Sequence, residues 1–300
     1  MENLIDIEGL YLFTKVVESG SFSQVSQRLK IPKATLSRKI SQLESQMGTQ
    51  LLVRTTRNLH PTEVGRELLQ RAFTILAAME DSKQLVSKKQ TEPQGKLRIS
   101  AGVEFGLCVL NPLINRFAIK YPKVDIELDL TGRRVDLVYE NLDIGIRIGP
   151  MSDSTLGSRK LGSFSYGLYC SPKLLEKFGN PKSIEGLRKF PKLGFTRVNK
   201  SEEWRLHSGT EIETVKFSPR ITSNNFWVII NSAIYGLGVA FMPSFIALEA
   251  IKSKKLINIL PDWSSEEIPI HAIYPQQKFV SQKVRHFIDF LVDQIEIPRV

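Results

Sequence analysis

Lys33, Thr35, Ser37 and Arg38 fall within the stretch "KATLSR", and Arg54 and Arg57 bracket "RTTR" shortly after it. Hydroxyls interleaved with cations suit a polyanion whose edges also carry hydrogen-bond acceptors. An arginine fork such as Arg38 matches a guanine edge, and hydroxyls such as Thr35 and Ser37 serve bases or phosphates equally well. An arginine at the tip of a small projecting hairpin can enter a narrow minor groove. Ser23 precedes Val25 and Leu29, reads as the N-cap of a short helix, and joins the same DNA-facing set. Charge follows the same pattern. Between Ser19 and Arg57 seven basic side chains face Glu44 alone, so +6 of the net +10 lies in this window. The isoelectric point near 9.5 favours a polyanionic partner.

Other chemistries lack their residues. Cys108 and Cys170 each stand in an apolar context and read as small buried hydrophobes, and His60, His207, His271 and His286 are far apart, with no HExxH or CxxC. No metal site or cofactor is expected. "YGLGVAF" is not a complete GxGxxG and follows a helical stretch, so it reads as a helix-to-strand turn. No nucleophile elbow, phosphate-binding loop or carboxylate pair is present, which argues against an enzyme. No apolar run approaches the eighteen or so residues of a membrane span. The opening "MENLIDIEGLYLF" has no cationic flank of the kind a secretion signal carries, so a cytoplasmic location is expected.

The cationic stretch needs elements to position it. Leu10, Phe13, Val16 and Val17 recur at helical spacing up to Gly20. Pro32 ends a second short helix. A third runs from Lys33 with Leu36, Ile40, Leu43 and Met47 on one stripe, and Gly48 stops it. Two short helices joined by a tight break form a helix-turn-helix. β-Branched and apolar residues flank "TTRN" as in a two-stranded wing. A long helix follows, capped near Thr62, with Leu68, Ala72, Ile75, Met79 and Val86 forming a dimerising seam, the alternative being a helix packed on its own domain. After the polar "KKQTEPQG" the chain alternates strands and helices, with "RVDLVYENL" as a short helix. That alternation predicts parallel sheet with covered faces, arranged as two α/β subdomains sharing a cleft.

"LYLFTKVVESGSFSQVSQRL", "LSRKISQLESQMGTQLLVRTTR" and "TEVGRELL" occur in order and at the spacing of one family: the chain resembles a LysR-type transcriptional regulator. "KLRISA", "YPKVDIEL", "DIGIRIG" and "GLGVAFMP" extend the resemblance over nearly the whole length. The ending "LPDWSS…IYP…KVRHFIDFL" is similar to the AphB/CrgA-like subgroup. The resemblance implies an α/β protein with an all-α-type N-terminal winged helix-turn-helix over 1–62, a linker (dimerisation) helix over 63–90 and a hinge at 91–95. It further implies a bilobal periplasmic-binding-protein-like effector domain. The first lobe takes 96–163 and 268–300, the second 164–267. Implied partners are double-stranded promoter DNA, RNA polymerase, a small-molecule effector and further copies of the chain as a dimer of dimers that bends DNA, with no membrane.

Matching positions place effector contacts at Ser100, Ala101, Gly102, Val103, Thr131 and Arg147 in one lobe and at Phe195, Thr196, Ser223 and Asn224 in the other. Arg147 suits a carboxylate or phenolate, or pairs with Asp143 as a structural ion pair. Ser223 and Asn224 either offer backbone amides to an anion or cap the helix that follows. One departure bears on specificity. Pro32-Lys33-Ala34-Thr35 stands where the family commonly has Ser/Thr-Gln-Pro-Ala, exchanging an adenine-type reader for a cation, so half-site preferences do not transfer. The reading is a regulator that senses a small molecule or physical state. The rivals are a constitutive architectural DNA-binding protein and an α/β enzyme carrying a DNA-binding arm. Arg57→Ala is expected to weaken binding most on duplexes with narrow minor grooves, and Lys83→Ala to leave it unchanged. Equal losses in fluorescence anisotropy would contradict the wing assignment.

Overall fold

A computed structural model describes residues 6–54, 59–86, 92–133, 135–151, 156–195, 203–275 and 280–297. Helix α1 (Ile7–Ser19) starts where the Asp6 carboxylate accepts from the Glu8 amide and ends at Gly20, whose φ of 63° needs glycine's freedom. Helix α2 (Phe22–Leu29) is capped by Ser21, not by Ser23. Ser21 has the extended backbone a cap requires and accepts from the Gln24 amide at 3.3 Å, whereas Ser23 lies exposed in the first turn. Helix α3 (Lys33–Met47) buries Leu36, Ile40 and Leu43 against Leu10, Phe13 and Val16 of α1. Each such side chain contributes roughly 1.5–3 kcal/mol by leaving water.

Strands β1 (Leu52–Arg54) and β2 (Leu59–Pro61) pair antiparallel and form the wing, whose tip at 55–58 lies outside the described residues. One carboxylate ties the wing to α3: Glu44 Oε1 accepts from the amides of Leu51 and Leu52 at 3.0 and 3.1 Å. Helix α4 (Glu63–Val86) begins on Thr62, whose hydroxyl accepts from the Gly65 amide at 2.9 Å. Its first turns pack back on the same domain. Leu69 and Ala72 are buried in that core and Leu68 is partly covered by it, so Ala72 is not available to a partner helix as the seam required. Ile75 and Met79, by contrast, stay exposed.

Strand β3 (Gly95–Ala101) opens the second half. Helix α5 (Val103–Phe105), a π-helical turn (Gly106–Leu110) and α6 (Asn111–Lys120) follow without a break. The Asn111 amide reaches back five residues to Gly106, and Pro112, with no amide to donate, follows directly, so the turn widens there. Strands β4 (Val124–Leu130) and β5 (Ile144–Ile148) flank β3 in parallel. Between them residues 135–142 form turns rather than a helix. The Asp136 carboxylate accepts from the amides of Val138 and Tyr139, both at 3.0 Å, and Asn141 has a φ of 53°.

Strand β6 (Leu156–Phe164) leads out of this sheet. The chain then builds β7 (Tyr166–Cys170), α7 (Pro172–Phe178), α8 (Ile184–Arg188), β8 (Leu193–Phe195), a hairpin of β9 (Glu203–Ser208) and β10 (Glu211–Lys216), β11 (Ile221–Ser223), α9 (Phe226–Ile234), β12 (Ala240–Pro243), α10 (Ser244–Lys252) and β13 (Ile257–Ile259). Strand β14 (Ile268–Pro275) returns between β5 and β6, antiparallel to both, and α11 (Gln282–Gln294) covers the sheet. The main sheet, ordered β4-β3-β5-β14-β6, is therefore mixed and not parallel throughout. A single apolar core runs from that sheet into the second lobe, with Phe105 and Phe164 both edge-on to Phe245.

Gly65 marks the tightest joint of the N-terminal domain, since a Cβ there would stand 2.1 Å from the Leu51 carbonyl oxygen. Gly65→Ala is expected to lower that domain's stability by about 1–3 kcal/mol, seen as an earlier urea transition by circular dichroism. An unmoved transition would contradict the close approach of α4 to the wing.

Candidate nucleic-acid interface and ligand cavity

The buried stripe of α3 fixes what its other face shows. Lys33 and Arg38 are exposed, Thr35 and Ser37 are half-buried, and among the described residues neither Lys33 nor Arg38 joins an ion pair. Lys39, next in sequence, is used differently. Its Nζ lies 2.6 Å from Glu8 and 3.4 Å from Asp6, anchoring α3 to the start of α1, and its hydrogen bond to Glu8 holds its pKa above the ordinary lysine value. The N-cap of α3 is Pro32, which makes no side-chain hydrogen bond, so the first amides of a fifteen-residue helix carry no internal cap. Such an end attracts anions. Arg54 closes β1 opposite Leu59, while Arg57 lies outside the described residues. Ser23 is exposed in the first turn of α2.

At the C-terminal ends of β3, β4 and β5 opens a cavity of about 440 Å³, lined by Gly102, Val103, Glu104, Thr131, Arg147 and their neighbours. Of the residues expected as effector contacts in the first lobe, Gly102, Val103, Thr131 and Arg147 line this cavity. Ser100 and Ala101 do not reach it. Ala101 packs in the core and its carbonyl accepts from the Thr131 amide at 2.9 Å, while the Ser100 hydroxyl is buried without a hydrogen-bond partner among the described residues. Phe195 stacks flat on Phe226 with ring centres 3.7 Å apart. Thr196 lies outside the described residues.

The start of α9 does not hold the amides ready for an anion. Asn225 is its cap, accepting from the Trp227 amide at 2.8 Å, and the Ser223 hydroxyl accepts from the Asn225 amide at 3.1 Å. Asn224 is exposed beside them. The Phe226 amide donates across the lobes to Glu104 Oε1 at 3.5 Å, so the protein's own carboxylate sits there. Sequence reasoning missed Glu104. Its signal was a lone acid at the start of a helix directly after a strand.

Arg147 donates through Nη2 to the Val135 carbonyl at 2.8 Å. It does not pair with Asp143, which accepts from the Arg98 amide at 2.8 Å and from Lys283 Nζ at 2.9 Å. Arg133, also on the cavity wall, is clamped by both carboxylate oxygens of Glu140, one contact being 2.7 Å. That hydrogen-bonded pair holds the Glu140 carboxyl below its usual range. The thiols show no activation. Cys170 is buried and burial pushes it up to about 12, while Cys108 is half-buried rather than fully so and is pushed up to about 11 by burial and by the charge of Glu104. No group of three potential metal ligands occurs among the described residues.

Comparison with known proteins places this arrangement. Residues 7–66 match the bacterial regulatory helix-turn-helix protein, lysR family, and residues 90–296 match the LysR substrate binding domain. The transcriptional regulator CrgA of Neisseria meningitidis serogroup C is 32% identical over 289 residues, spanning 96% of this chain and 96% of that protein. The full-length structure of AphB, a virulence activator of Vibrio cholerae, superimposes with a TM-score of 0.60 at 30% identity, covering 97% of this chain and all of that one. LysG of Corynebacterium glutamicum, solved with bound effector Arg, shares the fold with a TM-score of 0.62 at 18% identity, over 96% of this chain and 97% of that one. A helix-turn-helix domain joined to a substrate-binding domain is thus the family's own architecture, and the chain belongs to the LysR-type transcriptional regulators.

Proposed function

We propose that the chain binds promoter DNA as an oligomer through α3 and the wing, and that a small anion in the cavity beside Arg147 sets its regulatory state. The observation that carries the DNA assignment is the exposed, uncapped start of α3, which presents Lys33 and Arg38 free of ion pairs among the described residues. Arg38 reads a base edge bidentately, Lys33, Thr35 and Ser37 divide bases and phosphates, and Ser23 holds backbone phosphate. Arg57 enters the minor groove, and Arg54 serves as a phosphate or structural partner.

The cavity reading rests on Arg147. An arginine at the wall of a concave space recognises a carboxylate or phenolate by charge-assisted hydrogen bonds. Gly102, Val103 and Thr131 complete the contacts, with the Ser100 hydroxyl buried behind them. Effector capture favours one of two arrangements of the assembly and so changes the spacing of the DNA-binding domains.

Dimers form through the exposed face of α4 that carries Ile75 and Met79, since Ala72 faces its own domain. Two such dimers join on one promoter, bend it, and act on RNA polymerase there. The site of action is the cytoplasm, where the genome is. Two outcomes test these roles. Arg38→Ala is expected to cost about 1–3 kcal/mol of specific binding and little on scrambled DNA, measured by anisotropy titration. A uniform loss on both sequences would demote Arg38 to a phosphate contact. Ile75→Asp is expected to halve the solution mass of the dimer in light scattering, and an unchanged mass would rule out that face.

A further inference from the structure

The segment 131–143 between β4 and β5, residue 134 lying outside the described residues, touches both functional ends of the chain. At one end Thr131, Gly132, Arg133 and Val135 form part of the cavity wall, and Val135 receives the Arg147 hydrogen bond. At the other end Asn141 Nδ2 donates to Glu18 Oε1 of α1 at 2.9 Å, and Arg98 Nη2 approaches the same carboxylate at 3.9 Å. Beside this clasp, Phe73 and Thr74 of α4 and Leu137, Val138, Asn141 and Leu142 of the segment line a shared groove of about 90 Å³.

The stretch between the two ends is braced as one piece. Arg133 is clamped by Glu140, the Asp136 amide donates to Glu140 Oε1 at 3.3 Å, and the Leu142 amide donates to the Leu137 carbonyl at 2.8 Å. Val135 and Leu137 are buried on Ile273 beneath it. A loop so braced does not absorb a displacement at Val135 locally. It carries the displacement towards Asn141 instead.

We propose that this segment is the transmission element of the chain: capture of an anion by Arg147 withdraws the guanidinium from the Val135 carbonyl, shifts the braced loop, and releases the Asn141–Glu18 clasp that docks the DNA-binding domain on the first lobe. The proposal rests on reading the cavity as the effector site. Its physical basis is competition, because a carboxylate is a stronger acceptor for an arginine than a backbone carbonyl is. Release matters for DNA binding because α1 packs directly on α3 through Leu10 and Phe13.

The test uses the full-length chain carrying Glu18→Cys and Asn141→Cys, at positions whose native side chains touch in this structure, with trapping by a short bismaleimide that spans the gap between the two thiols followed over time. The native thiols compete little, since Cys170 is buried and burial pushes the half-buried Cys108 up to about 11, leaving little thiolate at neutral pH. Adding Arg147→Ala is expected to slow trapping about tenfold, the scale of one charge-assisted hydrogen bond. Glu140→Gln, a surface change that breaks the brace without entering the cavity, is expected to slow it as well and guards against a misfolded Arg147→Ala. Trapping that is equally fast in both variants, or absent in the parent pair, would overturn the relay. The cavity reading is judged separately by calorimetry with benzoate as probe. Benzoate binding that Arg147→Ala abolishes, together with unaltered trapping, would leave the effector site standing while removing the relay.

Discussion

The N-terminal domain depends on one helix being held from behind. Helix α3 shows its cations in a fixed direction only because Leu36, Ile40 and Leu43 are buried against α1 along a single stripe. A side chain set on a rotating or fraying helix would lose the geometry that distinguishes one base edge from another. Two polar ties reinforce the stripe. Lys39 bridges to Glu8 and Asp6 at the start of α1, and Glu44 accepts the two amides that lead into the wing. Helix and wing therefore move as one body, and a duplex meets a preformed surface. Lys39 shows why counting cations overstates an interface: it lies in the same run as Lys33 and Arg38 yet is spent inside the domain.

The second half follows a different logic. Its two lobes share an apolar core through Phe105, Phe164 and Phe245, so their separation is not free. Space for a ligand remains at the strand ends, where Gly102 and Gly132 leave room and Arg147 supplies charge. Glu104 spans from this wall to the first amide of α9 in the other lobe. The wall of this space therefore carries both signs of charge, Arg147 and Glu104, which would restrict the orientation of a bound molecule more than a uniformly basic cleft would.

Much of this was legible in the residues. Helix starts and stops of the first domain are written in Gly20, Pro32, Gly48 and Thr62, because caps and breakers act locally. The Ser21 for Ser23 error arose because two serines two residues apart are equally good caps and only the backbone angle selects one. The helix expected at residues 134–142 stops after one turn: Asp136 caps its start and the Glu140 amide reaches the Asp136 carbonyl, but Asn141, with a φ of 53°, ends it. The resemblance implied that the chain returns to the first lobe at 268, but the strand order and the antiparallel direction of β14 were invisible, since pairing partners far apart in sequence leave no local trace. Among cavity residues, those set by strand ends were found. Glu104 was missed because it acts across space on an amide 122 residues away, and the cap Asn225 because three polar residues in a row, Ser223, Asn224 and Asn225, are equally good local caps and only the backbone angle selects one. Along α4, helical periodicity gives a stripe but not which part of it the protein's own core has taken: Ala72 is buried there, while Ile75 and Met79 stay exposed.

The most direct test of the account is a nuclease footprint of the purified protein on the DNA upstream of its own gene, at two salt concentrations and beside a scrambled fragment. The account predicts a bounded protected region that survives the higher salt, with hypersensitive bands between two sub-sites where the duplex bends. Diffuse protection that fades equally on both fragments as salt rises would contradict it, because phosphate contact alone is that sensitive to salt and blind to sequence.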